Sequence, residues 1–304
     1  MRSGFCAIVG RPNVGKSTFL NRVLGQKLAA VTPKPQTTRH RILGVKNLPD
    51  AQIVFVDTPG VHRGKSELNK YMVEQALAAA AETDVVLLMI EAPAGKDGGG
   101  TGVGPGQQLI VDALAKLKQP IVLAINKIDR LRDPAQLLPV IERWKELLPF
   151  KEIVPMSAQD GTQADKLVEL CAALLPEGPR LYPDDVVTDR HERFFAAETV
   201  REQIFLLLKE EIPYDTAVTI ERFEERRGQQ GGREVAIDAT IHLARASQKS
   251  IVIGKAGAGV KTIGMRARAE LGAMLGCPVH MKLLVAVDPD WTASRGALKR
   301  LGYE

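Results

Sequence analysis

Four residues near the amino terminus have the types and spacing that a phosphate-binding loop requires. The stretch GRPNVGKST contains Gly10, Gly15, Lys16 and Ser17 in the pattern G-x-x-x-x-G-K-[ST]. The glycines let successive backbone N–H groups turn inward around phosphate oxygens at the positively polarised start of a helix. We expect Lys16 to contact the β- and γ-phosphates as a catalytic group, and Ser17 to ligate Mg²⁺. The predicted nucleotide-binding set also includes Arg11, Pro12, Asn13, Val14 and Thr18.

The tetrapeptide NKID at 126–129 predicts that the base of this nucleotide is guanine. Guanine presents two donors on one edge, its N1–H and its 2-amino group, and the single carboxylate of Asp129 can accept both. Adenine would leave that carboxylate unpaired, which is costly in a desolvated site. We expect Lys127 to pack along the base and Asn126 to tie neighbouring loops together. NKxD is moderately common by chance, so the prediction depends on its position behind a phosphate loop.

A third stretch, DTPG, follows a predicted strand at 53–56. We expect Asp57 to hold Mg²⁺ through water. The N–H of Gly60 is expected to bond the γ-phosphate and to reorient when that phosphate leaves, which is the behaviour of a switch. A further loop after the strand-like run EIVPM should add backbone contacts to guanine. The nucleotide-binding set therefore also includes Thr58, Pro59, Val61, Ser157, Ala158 and Gln159.

An α/β fold is needed to bring these loops together. Short apolar runs at 5–9, 53–56, 85–90 and 120–125 read as buried strands, and helix-like stretches separate several of them. Such alternation predicts a parallel sheet, whose ligands bind at the carboxyl ends of the strands. The predicted class of the first half is therefore α/β.

Composition narrows the class of protein. A chain of 304 residues suits about two domains. No apolar run approaches the ~20 residues that span a bilayer. The apolar stretch at the start of the sequence is too short for a signal peptide, so we do not expect one. The three cysteines lie far apart, so no metal or redox spacing exists. We expect a soluble, reduced, cytoplasmic protein. The net charge of +5 weakly favours a polyanionic partner, and the basic excess is concentrated between 245 and 270.

The five stretches GRPNVGKST, PQTTR, DTPG, NKID and SA occur in the order found in small GTPases of the Era, TrmE and EngA group, and the chain resembles that group. The resemblance implies a P-loop GTPase domain with a mostly parallel six-stranded sheet and helices on both faces. It also implies GTP and GDP as ligands, GTP hydrolysis and Mg²⁺. It also makes PKPQTTRHR the first switch, in which one threonine ligates Mg²⁺. Thr38 is the favoured ligand, and Thr37 is the alternative.

The residue after DTPG is Val61, where Ras-like enzymes have a glutamine that orients the attacking water. Valine cannot hydrogen-bond water, so we expect slow intrinsic hydrolysis. In the group that this chain resembles, a P-loop asparagine can bind a potassium ion that acts somewhat like an arginine finger, and Asn13 occupies that position. K⁺ activation is therefore one hypothesis. A partner that orders the switches, such as RNA, is the competing one.

The stretch IVIGKAGAGVKTIG at 251–264 first looks like a second phosphate loop. Val260 displaces the lysine by one residue, and no strand leads directly into a Lys–Ser/Thr helix start. Instead, the predicted order helix–strand–strand–helix–GxxG–helix–strand resembles the α+β type II KH domain, whose GxxG loop lies against a nucleic-acid backbone. Gly259 and Gly264 each cost about 1 kcal/mol of helix stability relative to alanine, which implies local flexibility. The predicted RNA-binding set is Ile253, Gly254, Lys255, Ala256, Gly257, Lys261, Arg266 and Arg268.

The join between the halves narrows the resemblance to the Era family. LPEGPRLYPDDVVTDRHERFFAAE looks like the linker of that family, and one P-loop starting at residue 10 does not suit EngA or TrmE. The predicted domains are a G domain at 1–175, a linker at 176–192 and a KH domain with a C-terminal tail at 193–304. Within the KH domain we expect a helix from about Val200 until Pro213.

The resemblance implies a monomer that binds the 3′ region of 16S ribosomal RNA and assists maturation of the 30S subunit. Two alternatives stay open. The first is an RNA-binding module in which GTP is a structural ligand with negligible turnover. The second is a signalling GTPase attached peripherally at the inner face of the cell membrane. The glycine-dense stretch at 95–106 is expected to be a flexible connection without an activity of its own.

Overall fold

The computed structural model describes residues 1–62, 64, 66–93, 103–228, 231–289 and 291–303. The chain divides into two compact units. Unit one comprises Met1–Lys65 and Asn69–Asp189, and unit two comprises Ser66–Leu68 and Arg190–Glu304. Within the described ranges, no helix is long and apolar enough to cross a membrane.

Unit one is built on a six-stranded sheet with the order β2-β3-β1-β4-β5-β6. Strand β2 pairs antiparallel with β3, and the remaining pairs are parallel. The central strands are largely apolar and, except for Glu91 at the end of β4, buried throughout, as parallel strands covered by helices must be. The strands are β1 (Arg2–Gly10), β2 (Ile42–Asn47), β3 (Ala51–Asp57), β4 (Val85–Glu91), β5 (Ile121–Asn126) and β6 (Phe150–Pro155).

Helices cover both faces of this sheet, as the sequence predicts. Helices α1 and α5 contact β1 and β3 on one side. On the other side, a single apolar cluster joins side chains of β1, β4 and β5 to those of α2, α3 and α4. The helices are α1 (Lys16–Leu24), α2 (Glu67–Glu82), α3 (Pro105–Leu114), α4 (Leu137–Lys145) and α5 (Ala164–Ala173).

The register of the strands brings the predicted loops to one edge of the sheet. Ile8 of β1 pairs with Asp57 at the end of β3, and Gly10 pairs with Met89 of β4. Asn126, at the end of β5, pairs with Glu91 at the end of β4. The phosphate loop, DTPG and NKID therefore begin within a few residues of one another at the carboxyl edge, where open α/β sheets bind ligands.

The predicted linker segment lies along unit one for much of its length. Glu177 forms an isolated antiparallel bridge with Arg2, and the N–H of Val45 on β2 donates to Val187 O at 2.8 Å. Between these points Gln52 of β3, which is fully buried, contacts Tyr182. The backbone polar groups of this proline-rich segment are thus satisfied in part by the sheet.

Unit two has the element order that the sequence predicts for a type II KH domain. Its three-stranded sheet has the order β7-β8-β9, with β7 and β8 antiparallel and β8 and β9 parallel. Helices α6 and α8 contact each other, and α8 and α7 both contact β9. The elements are α6 (Glu192–Leu207), β7 (Thr216–Arg227), β8 (Arg233–Leu243), α7 (Ala246–Ile253), α8 (Ala258–Leu275), β9 (Val279–Val287) and α9 (Arg295–Arg300).

The ends of three elements differ from the expectations. Helix α6 ends at Leu207 rather than at Pro213, because Leu208 is extended and the chain then forms a turn in which Thr216 Oγ1 donates to Ile212 O. The stretch SQKSIVI at 247–253 is predicted from the sequence to be only a short helical turn, and it lies in an eight-residue helix, Ala246–Ile253. The predicted connection at 95–106 lies outside the described residues over 95–102. Its last two residues already belong to α3, since proline suits the first position of a helix.

Candidate functional site

The phosphate loop joins β1 to α1 and depends on close backbone packing at two glycines. Gly15 has a φ of 104°, and a Cβ there would lie 2.1 Å from Asn126 Nδ2. At Gly10 a Cβ would lie 2.3 Å from the carbonyl oxygen of Met89. Asn13, which is not a glycine, also has a positive φ of 63°. Glycine is therefore required at Gly15 by both conformation and space, and at Gly10 by space.

Ser17 links the phosphate loop to both switch segments. Its hydroxyl donates to Asp57 Oδ2 at 2.7 Å, and its Oγ lies 2.8 Å from Thr38 Oγ1. Thr37, the alternative metal ligand, faces elsewhere: its Oγ1 donates to Lys34 O at 2.9 Å and lies 2.6 Å from Thr32 Oγ1. The structure thus brings Thr38, and not Thr37, to Ser17 and Asp57.

Two buried charges of opposite sign lie behind the phosphate loop. Burial lowers the pKa of Lys16 to about 8, against the attraction of Asp57. Burial raises the pKa of Asp57 to about 6, although Lys16 and the Ser17 hydroxyl oppose that rise. Lys16 Nζ donates to the carbonyl oxygens of Gly10 and Arg11, at 3.3 and 3.0 Å. The second oxygen of Asp57, Oδ1, is buried and has no hydrogen-bond partner in the described part of the chain.

Asn126 ties three loops together, as the sequence predicts for the first residue of NKID. Its Nδ2 donates to Val14 O at 2.6 Å, and its Oδ1 accepts from the Ala158 N–H at 2.8 Å. Asp129 accepts a hydrogen bond from the Ser157 hydroxyl at 2.6 Å. The Asp129 carboxylate, which we expect to bind guanine, is thereby held by Ser157. This serine belongs to the loop that was expected to add backbone contacts to the base.

Lys127 has a left-handed backbone with φ 69°, and its Nζ lies 2.9 Å from Glu91 Oε1. The sequence does not single out Glu91, yet it ends β4 beside NKID and also faces Arg130 at 3.7 Å. The ion pair with Glu91 consequently fixes the charged end of the Lys127 side chain.

These residues surround one cavity of about 600 Å³. Non-glycine residues with positive φ are uncommon, and Asn13, Gln36 and Lys127 all line it, which fits the tendency of backbone strain to occur at functional sites. The predicted residues that line it are Pro12, Asn13, Gly15, Lys16, Ser17, Thr18, Thr38, Gly60, Asn126, Lys127, Asp129, Ala158 and Gln159. Lining residues outside the predicted set are Ala30, Val31, Thr32, Pro33, Gln36, Thr37, Glu91 and Arg130.

The other predicted nucleotide-binding residues support this cavity from behind. Gly10, Arg11 and Val14 supply the carbonyl oxygens described above, and Thr58 Oγ1 donates to Ile8 O at 2.7 Å. Gly60 faces Pro12 so closely that a Cβ would lie 2.6 Å from its backbone nitrogen. The predicted residues that do not line the cavity are Gly10, Arg11, Val14, Asp57, Thr58, Pro59, Val61 and Ser157.

Val61 faces the core rather than the cavity. Its side chain is fully buried in the apolar cluster between the sheet and α2, and its N–H donates to Gly10 O at 3.0 Å. The position that carries a water-orienting glutamine in Ras-like enzymes is therefore turned inward in this chain.

In unit two the GxxG stretch forms the turn between α7 and α8. Gly254, Ala256 and Gly257 all have positive φ, of 70°, 51° and 79°. The two glycines differ in their surroundings: a Cβ at Gly254 would lie 2.7 Å from the Gly259 backbone nitrogen, whereas a Cβ at Gly257 would meet no atom within 4 Å. Gly254 is thus required for packing inside the unit, and Gly257 presents open backbone.

The packing of α8 against α7 requires a glycine at position 259, and the sequence does not reveal this requirement. A Cβ at this position would lie 2.5 Å from the carbonyl oxygen of Val252 on α7. The glycine, expected to loosen α8, instead permits the close approach of α7 and α8. Val260 follows as the third residue of α8, as the KH interpretation predicts.

The predicted RNA-binding cations are exposed but do not share one face. Lys255 lies in the turn, and Lys261, Arg266 and Arg268 lie on α8. At about 100° per residue, Lys261 and Arg268 are seven positions apart and lie on one side of the helix. Arg266 is five positions from Lys261, on the other flank of the buried stripe formed by Ile263, Ala267 and Leu271. A single strand of RNA on one flank would therefore meet only part of this set.

Sequence profiles of two families match the chain. One is described as "50S ribosome-binding GTPase" and matches residues 5–127, and the other is a KH domain and matches residues 211–292. The first match covers β1 to the NKID loop, and the second covers the GxxG turn with its flanking elements. These matches agree with the fold class predicted for both halves.

The chain is similar to curated proteins over its whole length. It is 49% identical to GTPase Era of Geobacter metallireducens over 302 residues, which cover 99% of this chain and 98% of the relative. It is 45% identical to GTPase Era of Lacticaseibacillus paracasei, over 99% of this chain and 96% of the relative.

Two solved structures match with 42% sequence identity, over 100% of this chain and 99% of each of theirs. One is an Aquifex aeolicus Era variant bound to GDP·AlF4⁻, with a TM-score of 0.91. The other is Era in complex with MgGDPNP and nucleotides 1506–1542 of 16S ribosomal RNA, with a TM-score of 0.92. Since curated relatives share close to half of their residues with it along its full length, the chain belongs to the Era family of GTPases.

Proposed function

We propose that this chain is a GTP-hydrolysing switch that binds the single-stranded 3′ region of 16S ribosomal RNA and assists maturation of the 30S subunit. One observation carries the RNA half of the proposal: Gly257 presents open, left-handed backbone in a GxxG turn, in the same chain as the guanine-type cavity. A relative that matches the whole chain was solved with nucleotides of 16S ribosomal RNA, which supports the same partner.

The residues behind the phosphate loop suit Mg²⁺, a hard cation that prefers oxygen ligands. Ser17 and Thr38 offer hydroxyl oxygens, and Asp57 offers an unpartnered buried oxygen on the same carboxylate that Ser17 contacts. In our proposal Ser17 and Thr38 would hold the ion directly and Asp57 through water. When bound, Mg²⁺ would neutralise negative charge on the β- and γ-phosphate oxygens.

The chain's own groups would stabilise an in-line attack of water on the γ-phosphate. Lys16 would replace its contacts to Gly10 O and Arg11 O by contacts to the phosphates, where its buried positive charge is only weakly screened. The N–H of Gly60 would bond the γ-phosphate. Because Val61 lies in the core, no side chain at that position can orient the water, so intrinsic turnover should be slow.

Potassium is a second cofactor of this proposal, at Asn13. The carboxamide of Asn13 lines the cavity, and its Nδ2 donates to Pro33 O in the first switch at 2.8 Å. A carboxamide oxygen is a suitable donor to a hard cation. We expect GTP turnover to be faster in potassium than in sodium, and Asn13→Ala to remove the difference. Equal rates of the unsubstituted protein in both salts would exclude this cofactor.

The RNA half is tested at Gly257, because a substitution at Gly254 would also distort the α7–α8 contact. We expect Gly257→Asp to weaken binding of an RNA with nucleotides 1506–1542 by about tenfold or more, since it adds bulk and negative charge beside the backbone. The control is Gly231→Asp in the turn between β7 and β8, where φ is also positive and a Cβ meets no atom within 4 Å. Fluorescence anisotropy at several salt concentrations measures the RNA affinity of both variants.

Unchanged RNA affinity of the Gly257→Asp protein would refute the role of this turn. An equal loss in the Gly231→Asp protein would assign the effect to net charge alone. Both variants should keep wild-type GTP binding, because the substitutions lie outside the nucleotide cavity.

The inward position of Val61 favours one second candidate, an RNA-binding protein in which GTP is a structural ligand with negligible turnover. Multiple-turnover phosphate release with and without the RNA fragment separates the two functions. Turnover that the RNA stimulates supports the switch, and release of less than one phosphate per protein under both conditions supports the structural ligand.

A further inference from the structure

Arg22, on α1, holds the loop that follows β6. Its Nε donates to the carbonyl oxygen of Ala158 at 2.9 Å, and its Nη2 donates to that of Gln159. Gly161 in the same loop has a φ of 95°, and a Cβ there would lie 3.0 Å from Arg22 Nη1. The guanidinium is thus packed against the loop and bonded to two successive carbonyls, which its planar fork of donors suits.

These bonds fix which way the loop's amide groups point. A trans peptide is planar, so its N–H is directed opposite to the C=O of the preceding residue. With Ala158 C=O turned to Arg22, the Gln159 N–H is directed away from α1. Ala158 and Gln159 both line the cavity, and no acceptor for the Gln159 N–H occurs in the described part of the chain. The neighbouring Ala158 N–H is already used by Asn126 Oδ1.

We propose that Arg22 is a positioning residue for guanine recognition, which orients the Gln159 N–H as a donor to the O6 atom of the base. This inference rests on the proposed guanine site at Asp129. Guanine carries an acceptor at position 6, and adenine carries an amino donor there, so a fixed N–H favours the first and repels the second. Asp129 reads the N1–H and the 2-amino group, and the oriented amide reads the remaining position.

If Arg22 has this role, Arg22→Ala should lower the affinity only for nucleotides whose base carries O6. We expect Arg22→Ala to weaken binding of GTP and of inosine triphosphate by about tenfold, the effect of losing one well-placed hydrogen bond. Binding of 2-aminopurine riboside triphosphate, which lacks O6, should stay unchanged. The turnover rate at saturating GTP should also stay unchanged, because Arg22 contacts neither the phosphates nor the metal ligands. Competition against a fluorescent nucleotide measures all three affinities.

Two variants serve as controls. Arg22→Lys keeps the charge but replaces the planar fork of donors by a single nitrogen, so it should recover only part of the GTP affinity. Lys166→Ala removes an exposed positive charge from α5 and should leave all three affinities unchanged. An equal loss for the three nucleotides in Arg22→Ala, or an unchanged GTP affinity, would overturn the proposal.

The guanine site itself is tested separately by Asp129→Ala. That substitution should remove the advantage of GTP over inosine triphosphate, which lacks only the 2-amino group. If GTP keeps its advantage in Asp129→Ala, the guanine site is wrong whatever Arg22 does. If the advantage is lost there while Arg22→Ala has no effect, only the role of Arg22 is refuted.

Discussion

Ser17 donates a hydrogen bond to Asp57 Oδ2 at 2.7 Å, which joins the phosphate loop to the start of DTPG. A hydroxyl has one hydrogen to donate, so the 2.8 Å contact between Ser17 Oγ and Thr38 Oγ1 must be a bond that Thr38 donates. The bonds therefore run from the first switch through the phosphate loop to the second. They leave one lone pair of the Ser17 oxygen for a cation.

The pKa values of Asp57 and Lys16 predict how nucleotide binding depends on pH. Asp57 has a pKa of about 6 in the protein, so below about pH 6 it takes up a proton that metal binding must release. Lys16 has a pKa of about 8, so above about pH 8 it loses the charge that attracts phosphate. We expect the affinity of the nucleotide-free protein for Mg²⁺ and GTP to be highest between about pH 6 and pH 8. Titrations with a fluorescent GTP analogue from pH 5 to 9.5 measure it.

Asp57→Asn is the control for the acid side of this profile. The terminal phosphate of GTP also titrates near pH 6, and that titration is the same for both proteins. The decline below pH 6 should therefore be shallower in Asp57→Asn, and the decline above pH 8 should persist because Lys16 is retained. Identical profiles for the two proteins would show that Asp57 does not cause the acid limb.

The sequence marks the residues of the phosphate loop and of NKID more readily than the side chains that position these loops. GRPNVGKST and NKID are contiguous, so their spacing alone indicates chemistry. Arg22 and Gln52 act through contacts with residues more than 120 positions away, and no local pattern marks them. Gly259 was predicted to loosen α8 because helix propensity counts only the helix itself, whereas the decisive neighbour is Val252 of α7.

The choice between Thr37 and Thr38 illustrates the same limit. Adjacent threonines in a polar loop are equivalent by composition, so the sequence alone gives only a weak preference for Thr38. The loop geometry decides between them, because the Thr37 hydroxyl bonds within the loop and the Thr38 hydroxyl faces Ser17.

Gly15→Ala should disable the nucleotide site and destabilise the protein. The added methyl group would overlap Asn126 Nδ2, and the displaced Asn126 side chain would lose its bond from Nδ2 to Val14 O and its bond from the Ala158 N–H to Oδ1. Together with the left-handed backbone, we expect a loss of about 3 kcal/mol in the free energy of unfolding. Gly25→Ala is matched in backbone, with φ 71°, but its Cβ meets open space, so it should cost only about 1 kcal/mol. Urea denaturation compares them, and equal losses would contradict the packing argument.

Val61→Gln should not restore a Ras-like mechanism. The side chain lies in the core, so the amide would be buried without partners, at a cost of about 1–3 kcal/mol in the free energy of unfolding. Single-turnover GTP hydrolysis should not become faster. As a control, Val31→Gln changes a 40% exposed valine that lines the nucleotide cavity and should leave stability within about 0.5 kcal/mol. A faster hydrolysis rate with unchanged stability in Val61→Gln would mean that position 61 reaches the reacting water.

Gln52→Leu should release the linker segment from unit one. The fully buried Gln52 side chain donates to Asn47 Oδ1 and Tyr182 O, both at 2.8 Å, and accepts from the N–H groups of Leu181 and Tyr182 at 2.7 and 2.9 Å. Leucine fills a similar volume but leaves these groups without partners, so we expect a loss of about 2–3 kcal/mol in the free energy of unfolding.

Proteolysis of the native protein near Tyr182 should also become faster in this variant, because the segment loses its attachment while the rest of the sheet remains. Gln119→Leu removes a comparable bond, from Gln119 Nε2 to Ala81 O at 2.8 Å, at an exposed position. It should change neither stability nor proteolysis appreciably, because water replaces the lost partner there. If the two leucine variants behave alike, burial of Gln52 is not what fixes the linker, and the bonds to Leu181 and Tyr182 contribute no more than a surface contact.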